Sequence, residues 1–147
     1  MKPKYRRAVF VVTYARQKNK IKYLILKRKL HWTGWEFPKG GRKFLETKKQ
    51  TIKRELKEET GLIPIKIKKF NVSGKYKYDK KYPDRIGFVG QTYSLFSAEV
   101  KKQKVKIDNF EHSDFQWLDF KHAMQKLTWK NQKKCLRVVD EFLDKNK

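Results

Sequence analysis

The sequence has a single cysteine and no long hydrophobic run. Because a disulfide or a thiolate metal cluster needs at least two cysteines, Cys135 excludes both within one chain and favours a reducing compartment. No stretch approaches the roughly 18 apolar residues of a membrane-spanning helix. The residues that follow Met1 do not form the apolar core of a signal peptide. We therefore expect a cytoplasmic protein with no membrane partner.

Acidic residues are also scarce. The chain has 15 Asp and Glu against 39 Lys and Arg, a formal net charge of +24. Such an excess concentrates polyanions around a protein, so phosphate-rich ligands, RNA or DNA are the expected partners. Lysine outnumbers arginine 31 to 8, and a lineage-wide composition bias could also produce this. The charge indicates an anionic ligand and leaves a compositional origin open.

The residues that are present suit one domain of 147 residues, since 38% are hydrophobic and 14% aromatic. The patterns predict strands at 5–14, 23–26, 62–72, 91–100 and 115–118, and helices at 47–59, 120–127 and 129–143. We expect loops at 30–42 and 73–90, and the second is expected to be functional, with a short strand inside it as an alternative. Strands that alternate with helices favour an α/β layered domain over residues 1–147.

An acidic cluster lies in the first predicted helix. Five of the fifteen acidic residues fall between Glu36 and Glu59. At about 100° per residue, Glu55, Glu58 and Glu59 share one face of the helix. Like charges four residues apart repel, so a bound cation would explain why they are kept together. Oxygen ligands without nearby Cys or His suit Mg²⁺ or Mn²⁺, although the same face could instead be solvated and paired with lysines of the helix.

The spacing of these residues resembles the Nudix box. Residues 40–62 read Gly40-x5-Glu46-x7-Arg54-Glu55-Leu56-x-Glu58-Glu59-x-Gly61-Leu62, and every defined position of the pattern matches. The order of the predicted elements is also similar to that family, so the resemblance covers nearly the whole chain. It implies an α/β/α sandwich with a mixed β-sheet. It also implies hydrolysis, with a divalent ion, of a nucleoside diphosphate linked to another group.

The resemblance further implies roles for individual residues of the box. Glu55, Glu58 and Glu59 would ligate Mg²⁺, with Mn²⁺ as an alternative, and Gly40 would belong to the same metal site. Arg54 would orient the carboxylates. Within the box, the predicted catalytic residues are Arg54 and two of the metal ligands, Glu58 and Glu59.

The predicted general base lies outside the box. Glu111 is similar to the extra acidic residue that many family members place there, and it completes the predicted catalytic set. A loop carboxylate with no role is the alternative interpretation. His112 is the rival base, but it is expected to be an ordinary histidine on a surface loop.

Other segments indicate the substrate. Residues 35–41, WEFPKGG, resemble the diadenosine polyphosphate hydrolases, and RNA pyrophosphohydrolases and decapping enzymes carry similar sequence. Residues 111–118 and 127–129 also resemble the diadenosine tetraphosphate branch. The expected substrate is therefore a dinucleoside polyphosphate, with RNA 5′ ends as the alternative. A non-catalytic RNA-binding Nudix module is a second alternative, which the retained carboxylates disfavour.

Basic and aromatic residues interleave between positions 75 and 85. Lysines can contact phosphates, and tyrosine rings can stack on bases. The predicted phosphate contacts are Lys39, Lys75 and Lys77, and the predicted stacking rings are Tyr76, Tyr78 and Tyr82. A solvated basic strand with inward tyrosines is the alternative, and Trp32 and Trp129 are expected to be packing residues. A charge of +24 exceeds what a dinucleotide needs and favours RNA.

Overall fold

The computed structural model describes residues 2–146, in which seven strands form a mixed sheet covered by three helices. The strands are β1 (Lys4–Gln17), β2 (Lys20–Arg28), β3 (Gly34–Glu36), β4 (Lys39–Gly41), β5 (Lys66–Lys77), β6 (Phe88–Glu99) and β7 (His112–Leu118). The helices are α1 (Lys48–Thr60), α2 (Phe120–Lys126) and α3 (Lys130–Lys145), and a 3₁₀ turn covers Pro83–Arg85. Met1 and Lys147, the ends of the predicted domain, lie outside the described residues.

Strand β1 is the centre of the sheet. It pairs in parallel with β6 and, through a hairpin, antiparallel with β2. Farther from the hairpin, β1 pairs with β4 and β2 pairs with β3, so the segment 34–41 lies between the two long strands. Strand β5 extends the sheet beyond β6, and β7 pairs with the outer edge of β2.

Alternate residues of β1 face two different helical layers. Val9 and Val11 pack with Ile52 and Leu56 of α1, whereas the intervening Phe10 belongs to the larger cluster built with α2 and α3. Apolar residues at successive positions thus bury both faces of the sheet. This arrangement confirms the predicted α/β/α sandwich with a mixed sheet.

Helix α1 has well-defined ends. Thr47 forms a capping box with Gln50, whose backbone N–H donates to the Thr47 hydroxyl. At the other end Gly61 adopts a left-handed conformation with φ of 75°, which a side chain would disfavour. These caps fix where the helix begins and ends, and therefore which way its carboxylates point.

Strand pairing extends several elements beyond their predicted bounds. The predicted loop at 73–90 is strand at both of its ends, because residues 73–77 and 88–90 belong to the β5–β6 ladder and 78–87 lie between the two strands. Lysine and tyrosine alternate from 75 to 78 with the period of a strand, a signal that the high charge obscured. The predicted loop at 30–42 contains β3 and β4, and β7 begins at His112. No helix within residues 2–146 is long and apolar enough to cross a membrane.

Candidate active site

The acidic face of α1 ends in a buried carboxylate with no partner. Glu59 is 3% exposed, and among residues 2–146 neither of its carboxylate oxygens has a hydrogen-bond partner. Burial, together with the nearby charges of Glu55, Glu36 and Glu111, raises the pKa of Glu59 well above its usual range. A cation bound at this position would compensate the buried charge, so the position fits a divalent metal ion.

Glu111, the residue before β7, reaches Glu59. Ligand atoms of Glu59, Glu111 and His112 all lie within 4.8 Å of one another. The imidazole is not free to ligate, however, because Nε2 lies 2.8 Å from Glu36 Oε2 and Nδ1 lies 2.9 Å from Asp108 Oδ2. The available donors are therefore carboxylate oxygens, which suit a hard divalent ion.

Arg54 holds the remaining carboxylates of the helix face. Its guanidinium donates to Glu55 Oε1 at 2.7 Å and to Glu58 Oε2 at 3.3 Å. It also donates to both carboxylate oxygens of Glu46 and to the Gly41 carbonyl. The geometry agrees with an orienting role for Arg54, and metal ligation by Glu55 and Glu58 stays a prediction.

Gly40 leaves space for Glu55. A Cβ added at Gly40 would lie 2.1 Å from Cδ of Glu55, so a larger residue would displace the carboxylate. Burial in this position raises the pKa of Glu55. The glycine therefore has a steric reason to be here, and its membership of the metal site stays a prediction.

A buried ionic network, which the sequence analysis missed, lies behind these carboxylates. Arg28 donates to Glu36 Oε2 at 3.1 Å and to Glu111 Oε2 at 3.4 Å. Burial alone would raise the pKa of Glu36, but Lys39, His112 and Arg28 lower it to about 2. The network thus contains an ionised carboxylate and holds Glu111 in place.

The prediction that His112 is a surface-loop residue was wrong. Its side chain is fully buried, and although burial opposes protonation, hydrogen bonds to Glu36 and Asp108 raise its pKa. Pairing of β7 with β2 creates this environment, which no local pattern shows. A signal for Arg28 did exist, since it follows Leu24 and Leu26 at the same spacing on a buried strand face.

An aromatic pocket of about 690 Å³ opens next to the network. It brings together five of the predicted substrate residues: Lys39, Tyr76, Lys77, Tyr78 and Tyr82. The ring centroids of Tyr78 and Tyr82 are 5.4 Å apart, and those of Tyr82 and His31 are 4.1 Å apart. Trp32 and Trp129 pack edge to face, as expected of packing residues, but they also line the pocket.

Two basic residues connect this pocket to the carboxylates. Lys39 and Arg28 line the pocket, and Lys39 Nζ lies 3.4 Å from Glu36 Oε1. Arg28 contacts Glu111 on the same side. The pocket and the carboxylate cluster therefore adjoin at these two cations, which are paired with Glu36 and Glu111.

Lys75 lies outside the pocket. Its ammonium group sits 4.0 Å from the ring centroid of Tyr5, and neither residue lines the aromatic pocket. The structure therefore does not bring Lys75 together with Lys39 and Lys77, and its contact with phosphate stays a prediction.

Comparison with known proteins agrees with these features. Residues 4–139 match the sequence model of the NUDIX domain. The chain is 26% identical over 127 residues to the RNA pyrophosphohydrolase of Alkalilimnicola ehrlichii, covering 78% of this chain and 70% of that protein. It is 28% identical over 139 residues to the RNA pyrophosphohydrolase of a Sulfurovum species, covering 90% and 88%.

The fold is also similar to solved structures. An Ap4A hydrolase from C. elegans, solved as a binary complex, superimposes with a TM-score of 0.77 at 21% identity. The superposition covers 95% of this chain and 98% of that one. At this identity the likeness bears on the fold alone.

Proposed function

This chain belongs to the NUDIX domain family and hydrolyses pyrophosphate bonds, and from that premise we propose that its substrate is the 5′-triphosphate end of RNA. The observation that carries the proposal is the aromatic pocket beside the carboxylate cluster, joined to it by Lys39 and Arg28. Stacking rings suit the first base, and the two cations suit the phosphates that follow it.

The residues that would hold the divalent ion are Glu55, Glu58 and Glu59, the three carboxylates of the box. We propose Mg²⁺, with Mn²⁺ as the alternative, because the available donors are hard carboxylate oxygens. When bound, such an ion neutralises phosphate charge and makes a nearby water more acidic. Arg54 keeps Glu55 and Glu58 oriented through its contacts with both carboxylates.

Glu111 is the proposed general base. Water attacks the phosphorus, the anhydride P–O bond breaks, and a Glu111 carboxylate oxygen accepts the proton from water. Arg28 holds Oε2, so Oε1 is the proposed acceptor. Lys39 and Lys77, both on the pocket wall, would stabilise the negative charge on the departing phosphates.

The choice of RNA rests on two further observations. Both relatives described above carry the name RNA pyrophosphohydrolase and align over at least 70% of their length. The net charge of +24 also suits a long polyanion. The cytoplasm, with its reducing conditions, remains the proposed compartment for a chain whose one thiol, Cys135, is buried and free.

Diadenosine tetraphosphate, which the sequence analysis favours, is the second candidate. Its adenine could occupy the same aromatic pocket, and its phosphates could follow the same path past Lys39 and Arg28. The non-catalytic RNA-binding module is disfavoured, because the carboxylates are not only retained but gathered around Glu59.

Product analysis on both substrates tests the proposal. The purified protein is incubated with Mg²⁺ or Mn²⁺ and either a 5′-triphosphate RNA or diadenosine tetraphosphate, with Glu59→Gln as the inactive control. We expect faster release of pyrophosphate or phosphate from RNA, leaving a 5′-monophosphate end. Preferential conversion of the dinucleotide to ATP and AMP would instead select the second candidate.

A further inference from the structure

We propose that a second groove, on the α1 side of the sheet, binds the single-stranded RNA that follows the 5′ end. This proposal rests on the proposed function, because that function places the 5′ end at the carboxylates. The groove has a volume of about 690 Å³, and we call it the arginine groove. Its main lining residues are Tyr5, Arg6, Arg7, Arg42, Phe44 and Phe88.

The arginine groove begins at the catalytic helix. Arg54 and Glu55 form part of its wall, whereas the aromatic pocket approaches the carboxylates through Lys39 and Arg28. The carboxylate cluster thus adjoins both cavities, through Glu55 and Arg54 at the groove and through Arg28 and Lys39 at the pocket. An RNA whose phosphates reach the carboxylates from the pocket can therefore continue into the groove.

The charge of the groove matches a polyanion. Arg6, Arg7, Arg42 and Lys43 line it, and within residues 2–146 none of these four forms an ion pair with an acidic side chain. The one acidic residue of the lining, Glu55, is held by Arg54 at 2.7 Å. Unpaired arginines beside the proposed reaction site are suited to the phosphates of the RNA backbone.

An exposed aromatic ring projects from the loop between β4 and α1. Phe44 is 92% exposed and Leu45 is 83% exposed, and Leu45 adopts a left-handed conformation with φ of 62° that is unfavourable for leucine. The loop is nevertheless anchored, since Arg42 N–H donates to the Arg7 carbonyl at 2.9 Å and Glu46 N–H donates to the Lys43 carbonyl at 3.1 Å. The loop is strained and anchored, and it holds the exposed ring of Phe44 where an RNA base could stack on it.

The groove fits nucleic acid better than a protein surface. The centre of a protein-docking patch is depleted of charge, whereas here arginines alternate with the rings of Tyr5, Phe44 and Phe88. Lys75 adds a further positive charge over Tyr5. Lys75 therefore lies beside the groove, at Tyr5, and its predicted contact with phosphate is proposed there rather than at the aromatic pocket.

The test separates RNA binding from catalysis. The groove variants are Phe44→Ala and the double variant Arg7→Ala/Lys43→Ala, none of which changes a residue assigned to the catalytic site. The controls are Ile63→Ala, which removes another exposed apolar side chain, and Lys20→Ala/Lys101→Ala, which removes equal charge elsewhere. Fluorescence anisotropy measures the Kd of a 12-nucleotide 5′-hydroxyl RNA, and kinetics compare a triphosphorylated dinucleotide with a triphosphorylated 12-mer.

We expect Phe44→Ala to raise the Kd and KM of the 12-mer by at least about fivefold, as loss of one stacked base should. The double variant removes two expected phosphate contacts, and each contact contributes about −0.7 to the slope of log binding constant against log salt concentration for a single strand. We therefore expect this slope to be shallower than in wild type by about 1.4. Turnover of the dinucleotide should stay unchanged in both, and the controls should resemble wild type.

Three outcomes would overturn the proposal or its premise. Unchanged Kd and KM for the 12-mer in both groove variants would exclude RNA from the groove and leave Phe44 as a site for a protein. Equal losses on the dinucleotide and the 12-mer would mean that the loop supports the carboxylates instead. If the wild-type chain hydrolyses neither RNA, the proposed function fails, while the 5′-hydroxyl RNA still tests the groove.

Discussion

Glu36 and Glu59 are both buried carboxylates of the same site, but their charged partners differ. Glu36 is 0% exposed and pairs with Arg28 and His112 through Oε2 and with Lys39 through Oε1, at 3.4 Å, whereas Glu59 is 3% exposed and within residues 2–146 neither of its oxygens accepts a hydrogen bond. The pKa of Glu36 accordingly falls to about 2, and that of Glu59 rises well above its usual range. The difference separates a carboxylate that positions its neighbours from one that is available to a cation.

The strongest test of this comparison is Glu59→Gln. Loss of the carboxylate should reduce kcat by about 10³-fold or more, as for other groups essential to catalysis. Stability without metal should not fall, because the substitution removes an uncompensated buried charge. Steady-state kinetics and thermal unfolding measure both effects, with Mg²⁺ expected to raise the Tm of wild type but not of the variant. Turnover within tenfold of wild type would refute the assignment.

Glu36→Gln should show the opposite pattern for stability. Removing one member of the buried network leaves Arg28 and His112 without their shared partner, which should cost about 3–5 kcal/mol of unfolding free energy. Chemical denaturation without metal measures this cost. Equal stabilities of the Glu36→Gln and Glu59→Gln proteins would contradict the distinction between the two carboxylates.

The dependence of stability on pH should also distinguish Glu36. Its pKa lies at about 2 in the folded protein against an ordinary 4.5, so the folded state favours the ionised form. The stabilisation is therefore fully present above about pH 4.5 and is lost as the pH falls towards 2. Unfolding free energy measured across this interval should decrease more steeply in wild type than in Glu36→Gln. Parallel curves would show that Glu36 is not the titrating group.

The smallest expected effect concerns the aromatic pocket. Tyr78→Ala removes a ring that packs against Tyr82, and loss of a stacking surface should raise the KM for base-bearing substrates by about fivefold or more. Lys75→Ala, on the other side of the strand, should leave the KM of a triphosphorylated dinucleotide unchanged. A lower KM in Tyr78→Ala, or equal effects of the two variants, would remove the pocket from substrate binding.

Several features could be predicted because their causes are local. The caps and carboxylates of α1 lie within one short segment, so the spacing of residues 40–62 predicted the helix, its acidic face and the glycine at its end. A run of β-branched and aromatic residues likewise predicted β1, the strand at the centre of the sheet. By contrast, the strand extension through residues 73–77 depends on pairing with β6, and the lysines in that segment concealed it.

The sequence by itself determined the fold class, the Nudix box and the set of carboxylates, because helix periodicity and residue spacing are properties of the chain. Only the tertiary structure decided which carboxylate has partners and which has none. Arg28 and Glu36 come from one part of the chain and Asp108 and His112 from another, and pairing of β2 with β3 and β7 brings the two parts together. Burial and charge proximity depend on such pairing, and they set the pKa of each group.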